Sequence, residues 1–135
     1  MSQPSSFRLV LAVAITWLVA IASTASAGAG DISYTDEQSA RGEAMYTKAC
    51  APCHDDKSLA PLLVGDPFLN NWSDKTVGAL IEKIHATMPL QDPGSLTEQQ
   101  AVDLAAYILK MNRFPAGQDG LSKDSAAAAT IGPPK

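Results

Sequence analysis

The chain has 135 residues, two cysteines and a formal net charge of −4, with 10 Lys+Arg against 14 Asp+Glu. That length fits one domain, and the acidic balance without any Lys/Arg run excludes the basic face a nucleic-acid binder needs and disfavours docking on anionic lipid. Cys50 and Cys53 are too close in sequence to close a stabilising loop, so if they staple a small domain they hold something other than each other.

Residues 1–27 read as a secretory leader: Arg8 supplies the positive start, Leu9 to Ile21 is an uncharged apolar run, and Ala25-Ser26-Ala27 is a small-x-small cleavage pattern. The competing reading is an uncleaved anchor. A spanning helix needs about 20 apolar residues, and this run is shorter and ends in Ser, Ala and Gly. The expectation is an exported bacterial protein that begins near Gly28, resides in the periplasm and has no stable membrane insertion. Residues 28–34 are then a flexible start.

Thr35-Asp36-Glu37-Gln38 is a capping box, and the helix it opens runs toward Cys50 with Gly42, Tyr46, Ala49 and Cys50 on one face. Residues 55–72 show no sustained period and carry Pro61, Gly65, Pro67, Asn70 and Asn71, which predicts a loop layer. The next helix starts at Ser73 or Asp74, points Val77, Leu80, Ile81 and Ile84 inward, and stops before Pro89. Asp92-Pro93-Gly94 is a turn. Thr97-Glu98-Gln99-Gln100 is a second capping box, opening a helix with Ala101, Leu104, Ala105, Ile108 and Met111 inward and Pro115 and Gly117 as its stop. Residues 116–135 hold an Ala run and a Gly-Pro-Pro end, a composition expected to form a disordered tail. The fold class is all-α, with three main helices and long loops in a domain spanning 35–115. Loops of that length need something to fill the centre.

Cys50-Ala51-Pro52-Cys53-His54 matches the C-x-x-C-H pattern of c-type haem attachment. Two thiols add to two haem vinyl groups, the two-residue spacer lets both reach one porphyrin edge, and the next residue offers an imidazole to iron. The other ring nitrogen of His54 needs a partner to fix its tautomer, and the Pro61 carbonyl is the candidate. Three other readings compete. A thioredoxin-like redox pair sits in a βαβ pattern, and no strand period is present. A Cys2His2 zinc site would use Cys50, Cys53, His54 and His85, without the usual spaced histidine pair. The third is chance occurrence of a short pattern.

The second axial position has four candidates: Met45, Met88, Met111 and His85. Met88 lies at a helix end directly before Pro89, on a turn that frees its thioether from the helix, and Met/His ligation suits an electron carrier. Met45 and Met111 lie on helices with apolar stripes, where Met is commonly core filler. His85, one turn before Met88, leaves bis-histidine ligation open, and an open iron face is the remaining option.

With these residues in place the chain, from 35 to about 115, resembles the class I cytochrome c family. Gly42 and Tyr46 stand where the family has a glycine and an aromatic four later on its first helix; Leu104 and Tyr107 match the aliphatic–aromatic pair of its last helix. Ala60-Pro61-Leu62-Leu63-Val64-Gly65 matches Gly-Pro-x-Leu-x-Gly except at Ala60. Trp72 stands where the family has a tryptophan near the haem propionates. Within residues 76–117, Met88-Pro89, Pro93-Gly94-Ser95-Leu96, Tyr107-Ile108-Leu109-Lys110 and Phe114-Pro115-Ala116-Gly117 are similar to small cytochromes or cytochrome domains of bacterial quinone-dependent alcohol dehydrogenases. The resemblance implies the class I cytochrome c fold around one covalent haem c, bound through Cys50 and Cys53 with iron held by His54 and Met88, and with Pro61 and Trp72 beside it. It implies a periplasmic electron carrier, not an enzyme, passing single electrons from a dehydrogenase donor to an oxidase or another cytochrome. Two alternatives remain: a tightly bound cytochrome subunit of a dehydrogenase complex, and a haem sensor or enzyme with a displaceable sixth ligand.

Overall fold

The computed structural model describes residues 31–132, so the expected leader lies outside the described residues. Six helices follow in order: α1 Asp36–Ala49, α2 Ala51–His54, α3 Asp66–Trp72, α4 Val77–Thr87, α5 Glu98–Met111 and α6 Lys123–Ala128. Among the described residues the only extended pairing is an isolated antiparallel bridge between Thr76 and Thr130. The all-α expectation holds, with α1, α4 and α5 as the main helices.

Both capping boxes form. Gln38 N–H donates to the Thr35 hydroxyl at 3.3 Å and Thr35 N–H to the Gln38 side chain at 3.1 Å. The Thr97–Gln100 pair repeats this at 3.2 and 2.8 Å. α4 begins later than Ser73 or Asp74. Asp74 takes a left-handed φ of 67°, and Thr76 caps the helix by accepting from Ala79 N–H at 3.1 Å. It ends as expected, with Met88 extended (φ −119°, ψ 152°) ahead of Pro89.

Two further expectations are corrected. The stretch 55–72 is not all loop, because Gly65 turns the chain at φ 69° and Pro67 sits in the first turn of α3. Proline there forfeits no helical hydrogen bond, so the residues that look like breakers start a helix. The ends of the domain are also more ordered than their composition suggests. Tyr34 is buried, donates its hydroxyl to the Phe114 carbonyl, and accepts at its own carbonyl from Gly117 N–H at 2.9 Å. Beyond Gly117 the chain forms a strap that buries Leu121, Ala126, Ala129 and Ile131. Gln38 grips the strap from α1, donating to the Leu121 carbonyl and accepting from Leu121 N–H, both at 2.8 Å. Asp74 N–H donates to the Ile131 carbonyl (2.9 Å), and Ile131 N–H to the Lys75 carbonyl (2.8 Å). The physical reason is size: Gly78 on α4 leaves so little space that an added Cβ would lie 3.2 Å from the Ala127 Cα, and alanines can pack at that range.

α1 and α5 form the largest helix–helix contact. They cross at Gly42, where an added Cβ would stand 2.6 Å from the Asp103 carbonyl carbon and 2.9 Å from the Tyr107 Cβ. No side chain fits there. Beside it, the Arg41 guanidinium makes two bonds to buried Asp103, at 2.7 and 2.8 Å. Gly42→Ala is expected to destabilise by about 1–3 kcal/mol through overpacking. Ile131→Ala is expected to cost about 2–5 kcal/mol through the cavity it leaves. Both should appear as a lower urea midpoint at unchanged slope.

Candidate functional site

α1 runs into the cysteine motif without a break: Cys50 N–H still donates to the Tyr46 carbonyl at 2.8 Å. The Cys50 carbonyl then accepts from both Cys53 N–H (3.1 Å) and His54 N–H (2.9 Å), coiling the motif into the single turn of α2. That turn sets Cys50, Cys53 and His54 along one cavity of about 290 Å³, whose other walls include Leu63, Ile84, Met88, Leu104 and Ile108. A second cavity of about 300 Å³ shares His54, Pro61, Met88 and Ile108 and extends to Phe68, Trp72, Lys75 and Lys83. The two therefore meet at His54 and Met88.

His54 is oriented from behind. Its Nδ1 lies 2.7 Å from the Pro61 carbonyl oxygen. A carbonyl only accepts, so Nδ1 carries the proton and Nε2 keeps its lone pair free. The turn that brings Pro61 there closes with Ala60 in place of glycine, Ala60 N–H donating to the Asp56 carbonyl at 3.2 Å. The buried Tyr46 hydroxyl donates to Asp55 Oδ1 at 2.9 Å, tying α1 to the residue after His54. Burial first, then the Asp55 bond and charge, push the Tyr46 phenol well above its ordinary value, so it stays a donor. Both cysteines are free and half-buried, and burial, with a smaller push from Cys53, raises the Cys50 thiol.

The structure brings Cys50, Cys53, His54, Pro61, Met88 and Trp72 to these two cavities. His85, Met45 and Met111 line neither, and Met45 and Met111 pack against the apolar core. Among the described residues no group of three or more His, Cys, Asp or Glu side chains is placed to hold a metal ion, so the zinc arrangement through His85 does not assemble.

A family model described as cytochrome C oxidase, cbb3-type, subunit III matches residues 37–108, more than half of the chain. The chain belongs to this family of class I c-type cytochromes. Among solved structures, the cytochrome is similar in fold to a chain in the crystal structure of the sulfane dehydrogenase SoxCD from Paracoccus pantotrophus. The TM-score is 0.52 at 20% identity, over 68% of this chain and 52% of that one, so the cytochrome spans about half the length of its structural neighbour. No curated protein matches it in sequence. Haem-based electron transfer is what this family does, and the cytochrome is read as an electron-transfer protein.

The walls fit a haem. Thiols and an imidazole stand along one side, the remaining lining is mostly aliphatic, and no Asp or Glu lines either cavity among the described residues. Lys75, Lys83, Asn71 and Trp72 line the second cavity and would supply cations and N–H donors to a haem's two carboxylates. Trp72 stacks on Phe68 with centroids 6.3 Å apart, and Lys75 Nζ lies 5.0 Å over the Trp72 ring.

The sequence reading missed the two lysines and Asn112. The lysines carry a weak signal, lying on the chain between Trp72 and Met88. Asn112 carries none, because its partners at Leu63 and Gly65 are distant in sequence. Tyr46→Phe removes one part-buried hydrogen bond and is expected to cost about 0.5–1.5 kcal/mol, measurable by urea unfolding of the purified protein.

Proposed function

We propose that this cytochrome is a periplasmic single-electron carrier with one haem attached through Cys50 and Cys53 and held at iron by His54 and Met88. The observation that carries this is the His54–Pro61 bond at 2.7 Å beside two free thiols, with Met88 on the wall of the same two cavities. Bound there, haem supplies a one-electron ferrous/ferric couple. The chain's own residues do the rest. Pro61 holds the His54 ring so that Nε2 is the nitrogen presented, and raises its basicity. The Met88 thioether is a soft, weakly donating partner that favours the reduced state. Leu63, Ile84, Leu104 and Ile108 exclude water from the walls. Lys75, Lys83 and the Trp72 indole N–H would offset the carboxylates of a haem bound there.

The mouth of the first cavity carries Leu59 and Leu90, 65% and 75% exposed. Exposed leucines there suit the small, transient interfaces of redox encounters. The partners proposed from the family resemblance are a dehydrogenase donor and an oxidase or cytochrome acceptor, with the alcohol-dehydrogenase likeness of residues 76–117 pointing to the class of donor. Periplasmic residence is supported by the leader reading of residues 1–27 and by the c-type family of the domain. No helix among the described residues is long and apolar enough to cross a membrane.

The second reading is a fixed subunit of a dehydrogenase complex. The fold shared with a chain of a sulfane dehydrogenase supports it, and copurification at fixed stoichiometry would distinguish it from a free shuttle.

The full chain, matured with a c-type haem system, should give a c-type pyridine haemochrome whose haem survives acid–acetone extraction. Absence of covalent haem sinks the proposal. Met88→Ala should turn a closed, cyanide- and carbon-monoxide-resistant protein into one that binds both. Identical spectra for variant and wild type would remove Met88 as ligand.

A further inference from the structure

We infer that Asn112 is the positioning residue for His54: it clamps the 61–65 loop so that the Pro61 carbonyl stays within reach of the imidazole N–H. The inference rests on His54 as the iron ligand proposed above.

Asn112 is the C-cap of α5 and only 4% exposed. A buried side-chain amide has two N–H donors and a carbonyl acceptor to satisfy, and each one left alone costs stability. All three are used. Nδ2 donates to the Ile108 carbonyl and to the Leu63 carbonyl, both at 2.8 Å, and Oδ1 accepts from Gly65 N–H at 2.9 Å. Ending the helix does not require this side chain, because the Asn112 backbone N–H already donates to the Ile108 and Leu109 carbonyls, at 3.2 and 3.1 Å. Two of the three amide bonds leave α5 altogether and grip the loop at two peptides.

That loop is the one that orients His54. Pro61 lies two residues before Leu63, with its φ fixed by its ring, and its carbonyl accepts from His54 Nδ1–H at 2.7 Å. Leu63 itself lines both cavities. Gly65, at φ 69°, turns the chain away into α3. The connection from His54 through Pro61 and Leu63 to Asn112 ends on α5, whose inward residues Leu104, Ala105 and Ile108 are fully enclosed. A hydrogen bond on one imidazole nitrogen raises the basicity of the other. Loosening the clamp therefore weakens the donor to iron and favours the reduced state.

The test uses the haem-loaded full chain and two variants. Asn112→Leu removes all three bonds at similar size; Asn112→Ser leaves one hydroxyl able to hold a single partner, and it carries the test if the leucine variant does not fold. Leu121→Ala, buried in the C-terminal strap where Gln38 of α1 holds it and lining neither cavity, is the control for destabilisation without contact to the loop. The readouts are solvent exchange of the His54 Nδ1 proton by NMR in the reduced state and the midpoint potential. Exchange faster by on the order of tenfold, the factor expected for one lost hydrogen bond, with a higher potential, is expected in both Asn112 variants and not in Leu121→Ala. Unchanged exchange and potential in both variants, or an equal change in the control, overturns the inference. A wild type without covalent haem overturns instead the site on which it rests, so the two failures are separable.

Discussion

The close crossing of α1 and α5 at Gly42 is the constraint on which the rest of the molecule depends. With no Cβ on one side, the two backbones come within van der Waals range, and a side chain of any size would part them. The approach puts Arg41 opposite buried Asp103, where two bonds at 2.7 and 2.8 Å are joined by one from Gln99 at 3.0 Å. A forked pair with its carboxylate buried does more than the exposed Lys123–Glu98 contact at 3.1 Å, which water and salt screen. One turn further along, Tyr46 meets Tyr107 with centroids 5.2 Å apart. Because α1 passes straight into Cys50, the crossing also fixes where the cysteine turn begins relative to Leu104 and Ile108 of α5, which share its cavity.

Much of this was legible in the sequence because its causes are local. Thr35–Gln38 and Thr97–Gln100 each carry a helix start within four residues, and the x-Pro rule places the end of α4 at Met88. The cysteine motif carries its chemistry in five consecutive residues, and Pro61 follows close behind. What was not legible depends on distant partners. The strap looks mobile by composition, since alanine and glycine score as poor core formers. Their small size is what lets α6 settle on Gly78, and a few larger residues, Leu121 and Ile131, anchor its two ends. Asn112 is the clearest case: an asparagine after a helix reads as an ordinary stop, and only the folded chain shows its amide gripping a loop nearly fifty residues earlier.

The strap and the site turn out to act on the same helix. α4 packs on α5 and on α6, while Leu80, Lys83 and Ile84 line the second cavity and Met88 closes its C-terminal end. Its N-terminal end is fixed by three backbone bonds from the strap: Val77 N–H to the Ala129 carbonyl at 2.8 Å, and the two that bracket Ile131. Those bonds fall on residues 74–77, directly after Trp72 and including Lys75. A domain this small buries a limited share of its surface and has little apolar area to hold a wall in place around a large cavity. The strap adds buried residues on the side of α4 that the cavity does not use. It holds the start of the helix, while the turn at Met88-Pro89 defines its end. Both ends of the helix that leads into Met88 are therefore set by the chain's own contacts, its start by the strap and its end by the extended turn ahead of Pro89.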